Sequence, residues 1–256
     1  MAKELLNTIT CCDCLEGMKE IPEKSVDMVL CDLPFGQTQN KWDTVIPLDR
    51  LWCEYKRITK PSAAIVLFGQ GMFTAELMMA QKEMWRYNYI WDKGSSTGFL
   101  NANKMPLREH EDILVFYEEL PAYNPQFRTG PKTHGRGALK KDITTPNYGE
   151  HNLVQTNTSL GHAKHPTSIL RFNKVPPSDV IHPTQKPVAL CEYLIRTYSN
   201  KGDIVLDNCI GSGTTAEACI RTGRQFIGFE KELMYSVKAQ ERINKAQEQG
   251  KLEEWF

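Results

Sequence analysis

Residues 204–216 read Ile-Val-Leu-Asp-Asn-Cys-Ile-Gly-Ser-Gly-Thr-Thr-Ala, and the fold turns on this stretch. The apolar, partly β-branched run Ile204–Leu206 has the character of a buried strand. Asp207 to Gly213 then turns, and Thr214–Thr222 shows the apolar spacing of three and four that marks a helix. Gly211 and Gly213 let a ligand approach the backbone closely. Phe226-Ile227-Gly228-Phe229 forms the next strand, and Glu230 at its end is placed to accept two ribose hydroxyls. Taken alone, Gly-x-Gly-x-x-Ala with an acid 19 residues after the first glycine also fits the dinucleotide fingerprint of an NAD-dependent oxidoreductase. Asp207 weighs against that fit, because an acid just ahead of the glycines repels a pyrophosphate and suits a cationic ligand. The loop also lacks the Gly-Lys-Ser/Thr ending of a nucleoside triphosphate site.

On either side of this stretch, short apolar, β-branched runs recur at Val26–Cys31, Ala63–Phe68, Tyr87–Trp91, Asp112–Phe116 and Gln225–Phe229. Helical spacing fills Leu48–Thr59, Gly71–Lys82, Val188–Ser199 and Glu232–Gln249, with Pro187 at a first helical position. The alternation predicts an α/β fold on a mainly parallel sheet. It breaks at residues 120–178, where Pro, Gly, Asn, Thr and His dominate. The chain therefore divides into a first half at 1–119, an insertion at 120–178, and a glycine-loop half at 179–256 of the same domain.

The whole chain carries 31 basic and 31 acidic residues, so net charge does not argue for a polyanionic partner. Its distribution does. The insertion holds Arg128, Lys132, Arg136, Lys140, Lys141, Lys164, Arg171 and Lys174 against Asp142 and Glu150, a net +6 on a body of −6. A segregated basic, loop-rich segment is what a phosphate-tracking surface requires. The eight cysteines lack the spacing of a disulfide framework, and Cys11 and Cys14 form a lone CxxC without a second pair, so no metal is implied. The opening Met-Ala-Lys-Glu lacks a signal peptide's apolar core, and no apolar run approaches the ~20 residues that span a bilayer. The expectation is a soluble cytoplasmic protein without a membrane partner.

Asp32-Leu33-Pro34-Phe35-Gly36 follows directly on the run Met28–Cys31. Loops at the carboxyl ends of parallel strands are where α/β proteins place ligands. An acid, a carbonyl held extended by the following proline, and an aromatic ring suit one task. They accept the two hydrogens of an exocyclic amino group while stacking on its heterocycle. The nitrogen is thereby drawn toward tetrahedral geometry and its lone pair is freed. Such a pocket does not reach a base inside a duplex, so the base must be flipped out at a cost of a few kcal/mol.

These motifs, in this order, resemble the β group of S-adenosylmethionine-dependent DNA amino-methyltransferases, which modify adenine N6 or cytosine N4. The resemblance covers nearly the whole chain. It rests on the Asp-Pro-Pro-Tyr variant at Asp32–Phe35, His-Pro-Thr-Gln-Lys-Pro at His182–Pro187, Asp-x-x-x-Gly-Ser-Gly-Thr-Thr at Asp207–Thr215, and Glu230. It implies a Rossmann-like fold with a mainly parallel seven-stranded sheet and a recognition insertion. It implies S-adenosylmethionine held by Asp13 and Cys14 at the adenosine part, by Lys186, Gly211, Ser212, Gly213, Thr214 and Thr215 along the methionine part, and by Asp32, Asp207 and Glu230. Asp32, Leu33, Pro34 and Phe35 form the catalytic centre that the resemblance implies, and double-stranded DNA is the partner. Whether a second copy forms a homodimer, and whether a restriction endonuclease accompanies the chain, the resemblance leaves open.

Two departures occur. Leu33 replaces a proline and loses its fixed φ but keeps the carbonyl; Phe35 replaces tyrosine and keeps the stacking face. Cytosine N4 is the alternative target, yet the cytosine members usually carry Ser where this chain has Asp32, which favours adenine. His182, Thr184 and Gln185 serve either the site or the cap of the helix near Pro187. His110-Glu111-Asp112 reads as scaffold, and Trp42 as a packing anchor rather than a second stacking ring.

Overall fold

The computed structural model describes residues 2–36, 40, 43–132, 143–145, 149–151 and 161–253. These form two compact units, one from residues 1–124 and 168–256 and one from 125–167. In chain order the elements are α1 (Ala2–Leu5), β1 (Thr8–Cys11), α2 (Cys14–Lys19), β2 (Val26–Cys31), α3 (Leu48–Ile58), β3 (Thr59–Gly69), α4 (Met72–Ala80), β4 (Trp85–Thr97) and β5 (Arg108–Phe116). The smaller unit follows with β6 (Arg128–Thr129), β7 (Ile143–Thr145), β8 (Gly149–His151) and β9 (Ala163–Lys164). The larger unit resumes with β10 (Ile169–Arg171), α5 (Val188–Tyr198), β11 (Ile204–Asp207), α6 (Thr214–Thr222), β12 (Gln225–Glu230) and α7 (Leu233–Glu253).

The larger unit is built on one eight-stranded sheet, ordered β1-β12-β11-β2-β3-β5-β4-β10. All neighbouring pairs are parallel except those of β5, which runs against both β3 and β4. The expected architecture is present, with eight strands in place of seven. The additional strand β10 lies inside the stretch read as an insertion, and the smaller unit is correspondingly shorter than 120–178, spanning Pro125–Thr167. Three residues with a single buried side chain, Leu170, give no readable period; only pairing with Ile90–Asp92 of β4 makes them a strand.

Alternation along the strands distributes the core to both faces. On one face Met28, Leu30, Ala64, Val66, Phe68, Ile113 and Val115 pack with Leu190, Leu194 and Tyr198 of α5 and Ala218 of α6. On the other, Val29, Cys31, Ile65, Leu67, Leu114 and Phe116 pack with Met18 of α2, Trp52 and Tyr55 of α3 and Leu77 of α4. Helices on both faces leave the carboxyl ends of the parallel strands as the open edge. Asp32, Asp207 and Glu230 all stand at that edge, at the ends of β2, β11 and β12.

The smaller unit pairs β6 with β9 and β7 with β8, each as an antiparallel two-stranded ribbon. Among the described residues, no helix is long and apolar enough to cross a membrane.

Candidate active site

A cavity of about 990 Å³ opens along the carboxyl edge of the larger unit. Of the residues singled out in the sequence, Asp13, Cys14, Asp32–Phe35, Lys186, Asp207, Gly211, Ser212, Thr214, Thr215 and Glu230 line it. Gly213 does not line it. It serves as N-cap of α6 at φ +79°, where a Cβ would press on the backbone of Ala239 at 3.2 Å.

At one end the glycine loop closes on itself. Gly211 N–H donates to Glu230 Oε2 at 2.9 Å and Glu232 N–H to Glu230 Oε1 at 2.8 Å, so both carboxylate oxygens are oriented by backbone donors. Each keeps acceptor capacity for a ligand. Asp207 is buried and accepts from Cys209 N–H at 3.1 Å; burial raises its carboxyl to about 6. Tyr55 Oη donates to Asn208 Oδ1 at 2.5 Å from beneath. Arg242 of α7 donates to Ser212 O at 3.2 Å and Thr214 Oγ1 at 3.1 Å while paired to Glu217, fixing the turn from behind. Asp13 caps α2 through Leu15 N–H at 2.9 Å, which sets Cys14 in the cavity wall.

At the other end Asp32 leaves β2 as the backbone turns. Lys186 Nζ lies 2.5 Å from Asp32 Oδ2 and 3.4 Å from Glu111 Oε2, and Lys93 Nζ lies 3.3 Å from Glu111 Oε1. The four side chains form an alternating chain of charge, with Lys186 8% and Lys93 4% exposed. Asp32 Oδ1 is buried without a hydrogen-bond partner among the described residues. Burial pushes the Asp32 carboxyl up to about 6 against the pull of Lys186, with Glu111 and Asp43 adding to the rise. Burial works against the Lys186 ammonium too, but Asp32 and Glu111 outweigh it and hold its pKa above the ordinary lysine value. For Glu111, Lys186 and Lys93 outweigh burial and keep it a carboxylate. Lys93, paired with Glu111, is pushed down by burial. His182 is pushed down to about 4, by burial and then by Lys186, and stands edge-on to Tyr235 at 4.2 Å.

Phe35 borders this end, 5.0 Å from the Phe73 ring, and Gly36 N–H donates to Asp43 Oδ1 at 2.8 Å, closing the turn after the tetrapeptide. Gly36 takes φ +68° there. Pro187, expected at the first helical position, is instead the N-cap of α5, extended at ψ 136° and without a side-chain cap bond. Gln185 Oε1 accepts from Ile181 N–H, and Thr184 Oγ1 meets His182 Nδ1, so His182–Lys186 forms a self-bonded turn in the cavity wall rather than a helix cap.

Glu111 reads as scaffold in the sequence and proves to be a wall of the cavity, together with Lys93. A usable signal was present: Lys93 continues the buried phase Tyr89, Trp91, and Glu111 precedes Ile113, Val115 in the same way. The basic residues divide. Arg128, Lys132 and Lys164 belong to the smaller unit, with Arg128 and Lys132 exposed, whereas Arg171 is on β10 of the larger unit, 3.3 Å from Asp92. Arg136, Lys140, Lys141 and Trp42 lie outside the described residues.

A family model described as DNA methylase, N6_N4_Mtase, matches residues 26–241. The chain belongs to this family, whose methyl donor is S-adenosylmethionine. It is 28% identical to the type II methyltransferase M.HinfI of Haemophilus influenzae over 94% of this chain and 69% of that protein. It is 25% identical to the type II methyltransferase M.HpaI of Haemophilus parainfluenzae over 92% and 74%. Its fold matches the M1.HpyAVI–SAM complex with a TM-score of 0.63 at 23% identity, covering 93% of this chain and 98% of that one. It matches the cytosine-N4-specific PvuII DNA methyltransferase with a TM-score of 0.63 at 16% identity, covering 94% and 91%. The cavity suits the donor. Asp207 is a buried acid of the charge a cationic ligand needs, Gly211 takes φ +52°, and Glu230 has two oriented oxygens with acceptor capacity to spare.

Proposed function

We propose that this DNA methyltransferase transfers its methyl group to N6 of an adenine flipped out of double-stranded DNA. The observation that carries the reading is Asp32 Oδ1, a buried acceptor without a partner among the described residues, in a cavity bordered by Phe35. An unpaired buried carboxylate oxygen is costly, and an amino hydrogen repays it. Asp32 rather than serine at this position favours adenine over cytosine N4 by resemblance to the family.

Asp207, the Gly211–Thr215 loop, Lys186, Asp13 and Cys14 would hold S-adenosylmethionine, with Glu230 at its ribose. When bound it supplies an electrophilic methyl group. The chain's own residues do the remainder. Lys186 at Oδ2 fixes the carboxylate plane, so Oδ1 accepts one amino hydrogen while the Leu33 carbonyl takes the other. Withdrawal of both hydrogens toward acceptors frees the nitrogen lone pair, and the proton released ends on Asp32 Oδ1. Phe35 stacks on the base. Most of the acceleration comes from positioning and preorganised charge, and His182, with its pKa near 4, stays neutral throughout. The smaller unit, with exposed Arg128 and Lys132, supplies phosphate contacts.

Digestion of DNA methylated by the purified protein, followed by mass spectrometry of the nucleosides, tests the reading. N6-methyldeoxyadenosine is expected, and N4-methyldeoxycytidine in its place overturns it.

A further inference from the structure

Between β4 and β5 the chain leaves the sheet at the carboxyl edge. Thr97 pairs with Arg108 across the base of this excursion, and both residues line the cavity. Beyond the base, a 3₁₀ turn at Phe99–Asn101 carries the backbone outward after Gly98 at φ +91°. Leu100 at its tip is 101% exposed, Phe99 69% and Met105 55%. Single exposed apolar residues are ordinary on a protein surface. Three within seven positions, between two residues that line the cavity, make an exposed apolar tip that contributes nothing to the core. The loop carries exposed cations: residues 98–108 hold Lys104 and Arg108, both exposed, and no acid, while Glu109 at its base is bonded to Ser96. Apolar side chains flanked by cations and by the amides Asn101 and Asn103 match a duplex, whose phosphates attract the charge and whose base steps accept the wedge.

We infer that the 98–107 loop enters duplex DNA at the target, with Leu100, backed by Phe99, filling the space left by the base that turns into the cavity. The inference rests on the base-flipping reading above and adds the group that opens the stack. Extruding a base leaves a hole between its neighbours, and an apolar side chain inserted there offsets the lost stacking. Because the loop springs from the paired ends of β4 and β5, which also wall the cavity, wedge and pocket are held at one separation. A base displaced at the first is delivered to the second.

The test compares Leu100→Ala and the double variant Phe99→Ala/Leu100→Ala with the unaltered full chain. Both positions are exposed, and S-adenosylmethionine binding by calorimetry reports whether the fold is kept. Methyl incorporation is measured on a duplex holding the site found by sequencing modified DNA, and on the same duplex with an abasic site opposite the target base. The double variant should lose about tenfold or more on the paired duplex and recover to within about threefold of the unaltered chain on the abasic one, where flipping costs little. Leu100→Met, which keeps the wedge, should stay within about twofold. Equal loss on both duplexes, or no loss on either, overturns the inference. So does a change in sedimentation on removing the tip, which would make it a contact between copies. Methyl transfer by the unaltered chain to no DNA at all would instead defeat the reading on which the wedge rests.

Discussion

The two ends of the cavity are built by opposite means. The Glu230 end is assembled from neighbours in the chain: Asp207 to Thr215 form one loop, and backbone N–H groups of Gly211 and Glu232 hold the acid in place. The Asp32 end is assembled from β2, β4, β5 and the turn before α5, whose charged side chains meet only in the folded chain. The first is preorganised by backbone geometry and the second by mutual charge. Binding of a cofactor and activation of a substrate can therefore be lost separately.

The largest separation should come from Asp32→Ala. We expect methyl transfer to fall by about a thousandfold or more, the scale of removing a preorganised acceptor or donor, with S-adenosylmethionine affinity by calorimetry kept within several-fold. Parallel loss of both would erase the distinction between the two ends. Gly211→Val should act in the reverse sense. A β-branched residue at φ +52° is strained by roughly 1–2 kcal/mol, so cofactor affinity should drop about tenfold or more before any effect of DNA is seen.

The pH profile separates the two ends further. The proposed acceptor works as a carboxylate, so kcat/KM should be full above about pH 6 and fall as pH drops through that value. Asp207 also titrates near 6, and two variants tell the acids apart. Glu111→Gln removes a negative charge that raises the Asp32 pKa, so the acidic limb should move to lower pH; Lys186→Met removes the cation that lowers it, so the limb should move up. A limb indifferent to Glu111 belongs to Asp207. The smallest effect is expected of Tyr55→Phe, which removes the hydrogen bond to Asn208 beneath the glycine loop. About 1 kcal/mol of stability, or roughly 2–4 °C in melting temperature, should disappear with little change in the pH limb.

Legibility in the sequence follows the same division. Strands buried on both faces, such as Ala63–Phe68 of β3, announce themselves as unbroken apolar runs, and α6 is bounded by glycines at both ends. The edge strands Thr8–Cys11 and Ile169–Arg171 and the six-residue α2 are too short for a period to register. Pro187 stands one position before the first helical residue, because its φ suits both an N-cap and a first turn. Glu111 looked like scaffold because a charged residue at a strand's end is ordinarily solvated; its burial comes from Lys186, 75 residues later in the chain.

Spacing along the chain carries the order of the longer strands and helices, the family, and the glycine loop with its two acids. Each depends on residues near one another in the chain, where spacing and backbone freedom are decisive. The state of Asp32, by contrast, exists only in the folded chain. Its raised pKa, its orientation by Lys186 and its unused Oδ1 arise from low-dielectric surroundings and from charges on three other elements. Electrostatic energy depends on distance and solvation in space, and neither is written in the spacing along the chain.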